Sequence, residues 1–201
     1  MRIKNIVFDV GNVLVRYDPV YIIAKSFPEH PNQATLVQEI FKHETWLALN
    51  LGYITEAQAL LEYHSRLGLE IERLQQMAQI TKESLTPIAG AQKLLRTLHG
   101  NYPLYALTDN THEIMAYLRA RYDFWPLFKG VVVSAHIGHL KPSAEIYRHL
   151  LKTYQLSPEE TLFLDDVIKN IEGAKAVGIQ AVQFKDTEQI IEELKRLGVV
   201  L

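Results

Sequence analysis

With 201 residues and 48% hydrophobic content, the chain is long enough to fill a core and short enough to be one domain carrying an insertion. A formal charge of −2, from 21 basic and 23 acidic residues, gives no field that gathers nucleic acid or an anionic membrane, so any phosphate must be held locally. The absence of cysteine excludes disulfides, thiolate nucleophiles and Cys-ligated metals, and leaves oxygen or imidazole as side-chain metal ligands.

Arg2 and Lys4 precede an apolar run, but Asp9 and Asn12 interrupt it and no small-residue cleavage site follows, so no secretory leader is expected. No segment approaches the roughly 18 uninterrupted apolar residues of a membrane span, and cytoplasm is the default compartment. The first predicted strand runs Ile3 to Phe8. Further strands are predicted at Leu104 to Leu107, Gly130 to Val133, Leu162 to Leu164 and Ala181 to Phe184, with helical periodicity between them. Such alternation predicts a Rossmann-like parallel sheet covered by helices, an α/β fold.

Roughly 95 residues separate Phe8 from Leu104, where a simple crossover needs only a dozen or two. From Asp18 to Leu85 the pattern is helical throughout. One helix is expected over Gln33 to Lys42, a second opens at Thr55 with a capping box to Gln58, and a third covers Glu70 to Glu83. This predicts a small all-helical cap over residues 17–86, inserted into a core of residues 1–16 and 87–201, with hinges at Val15–Tyr17 and Thr86–Ile88. Ser157-Pro158-Glu159-Glu160 has helix-start chemistry, and a final packed helix carries Ile190, Ile191, Leu194 and Leu197.

In an open parallel sheet, ligands bind beyond the carboxyl ends of the strands. Here those ends carry Asp9, Thr108-Asp109-Asn110, Ser134 and Asp165-Asp166. A lone Asp after a strand more often caps a turn, and a lone Lys before proline is usually a solvated loop residue. Company changes the reading of both. The adjacent carboxylates Asp165 and Asp166 are costly at the end of a buried strand unless a cation compensates them, and a hard divalent metal is the economical partner. Beside such an ion Asp9 is a plausible nucleophile. Lys141 reaches a phosphate or Asp9 from just outside the next helix, and Thr108 can donate its hydroxyl to phosphate oxygens. Asn170, one turn beyond Asp166, can face the same site and hold a metal-bound water. His136 and His139 have metal-like spacing but no accompanying carboxylate, and no phosphate-binding glycine loop or serine-hydrolase elbow occurs.

The ordered segments Phe8-Asp9-Val10-Gly11-Asn12-Val13, Leu107-Thr108-Asp109-Asn110, Lys141-Pro142 and Phe163-Leu164-Asp165-Asp166 resemble the four motifs of the haloacid dehalogenase superfamily, across the whole chain. The resemblance implies an aspartyl-phosphate on Asp9, with Thr108, Asp109 and Lys141 on the phosphate side. It implies Mg²⁺ on Asp9, Asp166 and the Gly11 carbonyl, with Asp165 on the ion directly or through water. The family commonly has a second Asp two residues after the nucleophile as general acid and base, where this chain has Gly11, and such an acid is worth roughly 10²–10⁴ in rate. The first motif is also similar to that of sugar-phosphate phosphatases acting on glucose 1-phosphate, so the expected substrate is a small phosphorylated metabolite, best with a good leaving group. Two alternatives stay open. One is a metal-free 2-haloacid dehalogenase, the other a non-catalytic phosphoryl-binding scaffold. His43, Glu44 and Trp46 precede the turn from Asn50 to Ile54, which is expected to hang over the mouth and select substrates, although Trp46 fits plain packing between cap helices. No nucleic-acid or membrane partner is expected, and oligomeric state is not legible.

Overall fold

The computed structural model describes residues 2–201, with five parallel strands flanked by helices. In chain order these are β1 (Asn5–Phe8), α1 (Pro19–Ser26), α2 (Gln33–Phe41), α3 (Glu44–Asn50), α4 (Glu56–Leu67) and α5 (Ile71–Ser84). Then come α6 (Ala91–His99), β2 (Leu104–Thr108), α7 (His112–Arg121), β3 (Phe128–Val133) and α8 (Ser134–Ile137). The chain ends with α9 (Ala144–Tyr154), β4 (Thr161–Asp165), α10 (Ile168–Ala176), β5 (Gln180–Gln183) and α11 (Thr187–Arg196). All five predicted strands are present, each within a few residues of its expected bounds.

The sheet order is β3-β2-β1-β4-β5, so the chain winds outward on one side of β1 and then on the other. That reversal opens a crevice at the carboxyl ends of β1 and β4, and Asp9 and Asp165 stand at it. Register is fixed by Phe8, which pairs with Ala106 on β2 and Leu164 on β4. Side-chain alternation then sorts the core into two faces. Ile6, Phe8, Leu104, Ala106, Leu162 and Leu164 pack against α6, α7 and α11. Val7, Tyr105, Leu107 and Phe163 pack against α9 and α10. Strands apolar on both faces are what a central parallel sheet requires.

The helical insert holds a separate apolar cluster, with Ile22 and Ile23 of α1, Ile40 of α2, Tyr63 of α4 and Leu74 of α5 among its buried members. Three caps set its helix starts. Asp18 accepts from the Tyr21 N–H at 3.0 Å, Asn32 from Thr35 N–H at 3.1 Å, and Thr55 with Gln58 forms the expected capping box. The two connections to the sheet domain run side by side: Arg16 N–H donates to Thr86 O at 2.7 Å and Ile88 N–H to Leu14 O at 3.0 Å. Tyr17 and Trp46 pack against both clusters, their rings stacked 6.4 Å apart, while Phe41 meets Trp46 edge-on at 5.0 Å.

One expectation needs correcting. Ser157 to Glu160 closes only a single 3₁₀ turn, because the chain must extend into β4 at Thr161, whose hydroxyl donates back to Ser157 O at 2.8 Å. The His43 ring caps α3, with Nδ1 2.9 Å from Thr45 Oγ1. Among the described residues no helix is long and apolar enough to cross a membrane.

Gly173 lets α10 lie against the loop that carries Lys141: a Cβ there would stand 2.7 Å from the Pro142 carbonyl oxygen and 3.1 Å from the Tyr147 ring. A backbone carbonyl cannot swing aside as a flexible side chain can. Gly173→Ala is expected to lower stability by about 1–3 kcal/mol in urea denaturation, the usual cost of overpacking.

Candidate active site

Asp9 follows the last residue of β1, and its own N–H still donates to Leu164 O at 2.8 Å, so the carboxylate leaves from a backbone held as rigidly as the strand. The chain then turns through Asn12, whose φ of 52° is the left-handed conformation that asparagine tolerates better than most residues. Asn12 Oδ1 accepts from Tyr17 N–H at 2.9 Å, which ties the turn after β1 to the start of the insert.

Lys141 organises the site. Its ammonium lies 2.8 Å from Asp9 Oδ1 and 2.6 Å from Asp165 Oδ2, with Leu107 O at 3.3 Å. An ammonium has three protons, and these three acceptors occupy them. Lys141 N–H in turn donates to Asp109 Oδ1 at 3.1 Å, and the Phe163 ring lies under the ammonium at 5.5 Å. Asp165 is equally engaged, accepting from Val167 N–H at 2.8 Å and from Asn170 Nδ2 at 3.0 and 3.1 Å. Asn170 thus faces the cluster as expected and gives its amide N–H groups to Asp165. Both bonds to Asp9, from Lys141 and from Val10 N–H at 2.7 Å, fall on Oδ1. Oδ2 is the atom left for chemistry.

Charge does not balance around this ammonium. Asp9, Asp165 and Asp166 place oxygens within 4.8 Å of one another, and Asp109 adds a fourth carboxylate. Burial pushes Asp9 up to about 8 despite the pull of Lys141. Asp166 is raised by burial and by Asp165, and Asp109 by burial. Burial alone would lower Lys141, yet Asp9 and Asp165 carry it upward, so the ammonium stays charged. Four carboxylates against one ammonium, all oxygen donors, fit a hard divalent cation.

Thr108 ends β2 almost fully buried, its Oγ1 accepting from Asn110 Nδ2 at 3.1 Å and keeping its own proton to donate. Gly11, Asp109, Asn110, Lys141 and Asn170 contribute to the polar part of a cavity of about 600 Å³. Tyr17, Phe41, Trp46, Leu47, Leu85 and Ile114 supply much of its apolar wall. The structure therefore gathers Asp9, Lys141, Asp165 and Asp166 into one cluster and sets Thr108, Asp109 and Gly11 around it. Sequence reasoning missed Asn12 as the residue that fixes the turn after Asp9 and Tyr17 as part of the wall. An Asn directly after glycine was the available signal for the first, and no signal marked the second.

A parallel sheet with its order reversal at β1, and an acid–lysine–diacid cluster at that point, are the features of a hydrolase that works with carboxylates and a divalent metal. The chain belongs to the haloacid dehalogenase-like hydrolases, whose family model matches residues 3–178. It is 30% identical over 195 residues, covering 96% of both chains, to a sesquiterpene phosphatase from Aspergillus oryzae. A glyceraldehyde 3-phosphate phosphatase from Pyrococcus furiosus is 27% identical over 203 residues, covering 92% of this chain and 81% of the relative. In fold it is similar to a haloacid dehalogenase family enzyme from Bacteroides thetaiotaomicron solved with magnesium and inorganic phosphate, with a TM-score of 0.78 at 21% identity, covering 94% of this chain and 98% of that one.

Removing one partner of a buried ion pair costs about 3–5 kcal/mol, so Lys141→Met is expected to lose stability of that order in urea at neutral pH. The sign follows from the carboxylates. Asp9 is raised from 3.8 to about 8 even with Lys141 present, so its folded form prefers the proton. Both proteins therefore lose stability alike from the unfolded value up to about 8, and the deficit of the variant against the parent should grow as pH rises beyond that, where only the parent releases the Asp9 proton.

Proposed function

We propose that this chain is a Mg²⁺-dependent phosphatase that hydrolyses a small phosphorylated metabolite through an aspartyl-phosphate on Asp9. The observation that carries the proposal is the single buried ammonium of Lys141 bridging Asp9 and Asp165, with Asp166 beside them. Residues 1–16 and 87–201 serve in this reading as the catalytic core and residues 17–86 as its cap.

The ion would rest on Asp9, Asp166 and the Gly11 carbonyl, with Asp165 behind them, since both its oxygens already accept hydrogen bonds. Bound there, Mg²⁺ supplies charge neutralisation for the incoming phosphate. Lys141 pins Oδ1 of Asp9, so Oδ2 makes the bond to phosphorus as the bond to the leaving oxygen breaks. The departing oxygen takes its proton from water, because Gly11 offers none. Water then attacks the acyl phosphate, releasing inorganic phosphate and returning the Asp9 carboxylate. Thr108 donates to a phosphate oxygen, and Asp109 holds the Lys141 segment through its N–H. Contact of Lys141 itself with phosphate requires it to release one of its three present acceptors.

Missing the acid at position 11 favours substrates whose leaving group needs little protonation, such as an anomeric sugar phosphate of the glucose 1-phosphate kind or an acyl phosphate. A second reading of the organic part follows from the cavity wall. A wall that includes Tyr17, Phe41 and Trp46 among several aliphatic side chains suits an apolar phosphate ester, in keeping with the sesquiterpene phosphatase relative.

Phosphate release from glucose 1-phosphate, acetyl phosphate, a simple alkyl phosphate and a prenyl monophosphate tests this. Release should require Mg²⁺, stop with a chelator and be abolished in Asp9→Asn. Activity on 2-chloropropionate without metal would establish the dehalogenase alternative. No turnover with retained phosphate binding would establish the scaffold. A Cβ at Gly11 meets nothing within 4 Å, so an acid fits there. Gly11→Asp is expected to raise kcat on the alkyl phosphate by about 10-fold or more while changing acetyl phosphate turnover little.

A further inference from the structure

Ser134, fully buried at the end of β3, stands between two backbones that belong to different parts of the molecule. Its hydroxyl donates to the carbonyl of Asn50, the last residue of α3 in the insert, at 2.7 Å. It accepts the N–H of Asn110 at 3.0 Å. A hydroxyl has one proton to give, and a second acceptor, the Asn110 carbonyl, lies 3.4 Å away. With the insert seated, that proton goes to Asn50. With the insert lifted, only the Asn110 carbonyl remains in reach.

Asn110 passes the contact on. Its side-chain amide donates to Thr108 Oγ1 at 3.1 Å, so an unbroken run of hydrogen bonds leads from the insert backbone to the hydroxyl at the end of β2. Two further contacts brace the same seam. A Cβ on Gly52, where φ is +73°, would lie 2.1 Å from the Ala135 carbonyl oxygen, so the turn sits directly on the residue after Ser134. Glu113 Oε1, on α7, accepts the Glu56 N–H at 3.0 Å. The segment from Asn50 to Glu56 thus meets the sheet domain beside Ser134 and Ala135, after β3, and Glu113, on the helix that follows β2.

We propose that Ser134 is a positioning residue that couples seating of the helical insert to the geometry of the Thr108–Asn110 loop, so that an unseated insert weakens phosphate binding. This rests on the phosphatase reading above. Inorganic phosphate is the probe, since it is too small to touch the insert, and its affinity is measured by calorimetry on the full chain with Mg²⁺. Gly52→Ala perturbs only the seam, and it should weaken phosphate about fivefold or more. Ser134→Ala should do the same, and the double variant should be no weaker than Ser134→Ala alone, because the relay is already cut. Should Gly52→Ala fail to fold, Glu113→Ala takes its place in the cycle, and Glu113→Gln, which keeps an acceptor for the Glu56 N–H, should restore affinity. Unchanged phosphate affinity in the folded seam variants, or multiplying effects in the double variant, overturns the coupling alone. A parent protein that binds no phosphate overturns the phosphatase reading and the coupling together.

Discussion

A buried ammonium is stable only where acceptors replace its water, and the geometry around Lys141 is the solution to that requirement. Its three protons reach Asp9, Asp165 and the Leu107 carbonyl, which come from three adjacent strands, β1, β4 and β2. One side chain therefore ties the carboxyl ends of the central strands together. The same arrangement leaves the cluster with more negative than positive charge, so the demand for a cation arises from the packing itself. Structure and chemistry are not separable here, since the group that holds the strand ends in place also selects which oxygen of Asp9 is free.

The glycine at position 11 makes sense beside that cluster. A further carboxylate beside Asp9, Asp165 and Asp166 would add to a cluster in which burial already raises Asp9 and Asp166, and Asp165 raises both further. Its absence leaves a space open at position 11. Tyr17 and Trp46, which stack on each other and belong to both apolar clusters, form part of the cavity wall.

Much of this was legible in the sequence. Strands buried on both faces read as apolar runs, and their ends could be marked because a carboxylate or hydroxyl terminates each run abruptly, as at Asp9, Thr108 and Asp165. The capping box at Thr55 and Gln58 announced α4. What could not be read was the partition of hydrogen bonds among neighbours that lie far apart in the chain. Asn170 was placed correctly near the site, but only coordinates show that Asp165 takes its amide N–H groups. The capping role of His43 was not legible because it depends on the short helix α3, which is too brief to declare itself by periodicity. Ser157 to Glu160 misled for the opposite reason: good helix-start residues yield when a buried strand begins directly after them at Thr161.

The paired connections at Arg16–Thr86 and Leu14–Ile88 have a consequence for how the chain is threaded. Entry and exit of the insert lie next to each other, bridged by backbone hydrogen bonds, and the insert carries an apolar nucleus of its own. A unit of five helices is thereby accommodated between β1 and α6 without altering the order of the strands. The arrangement is that of a plug in a socket, held at its base by main-chain bonds and at its far rim through Asn50 and Glu56.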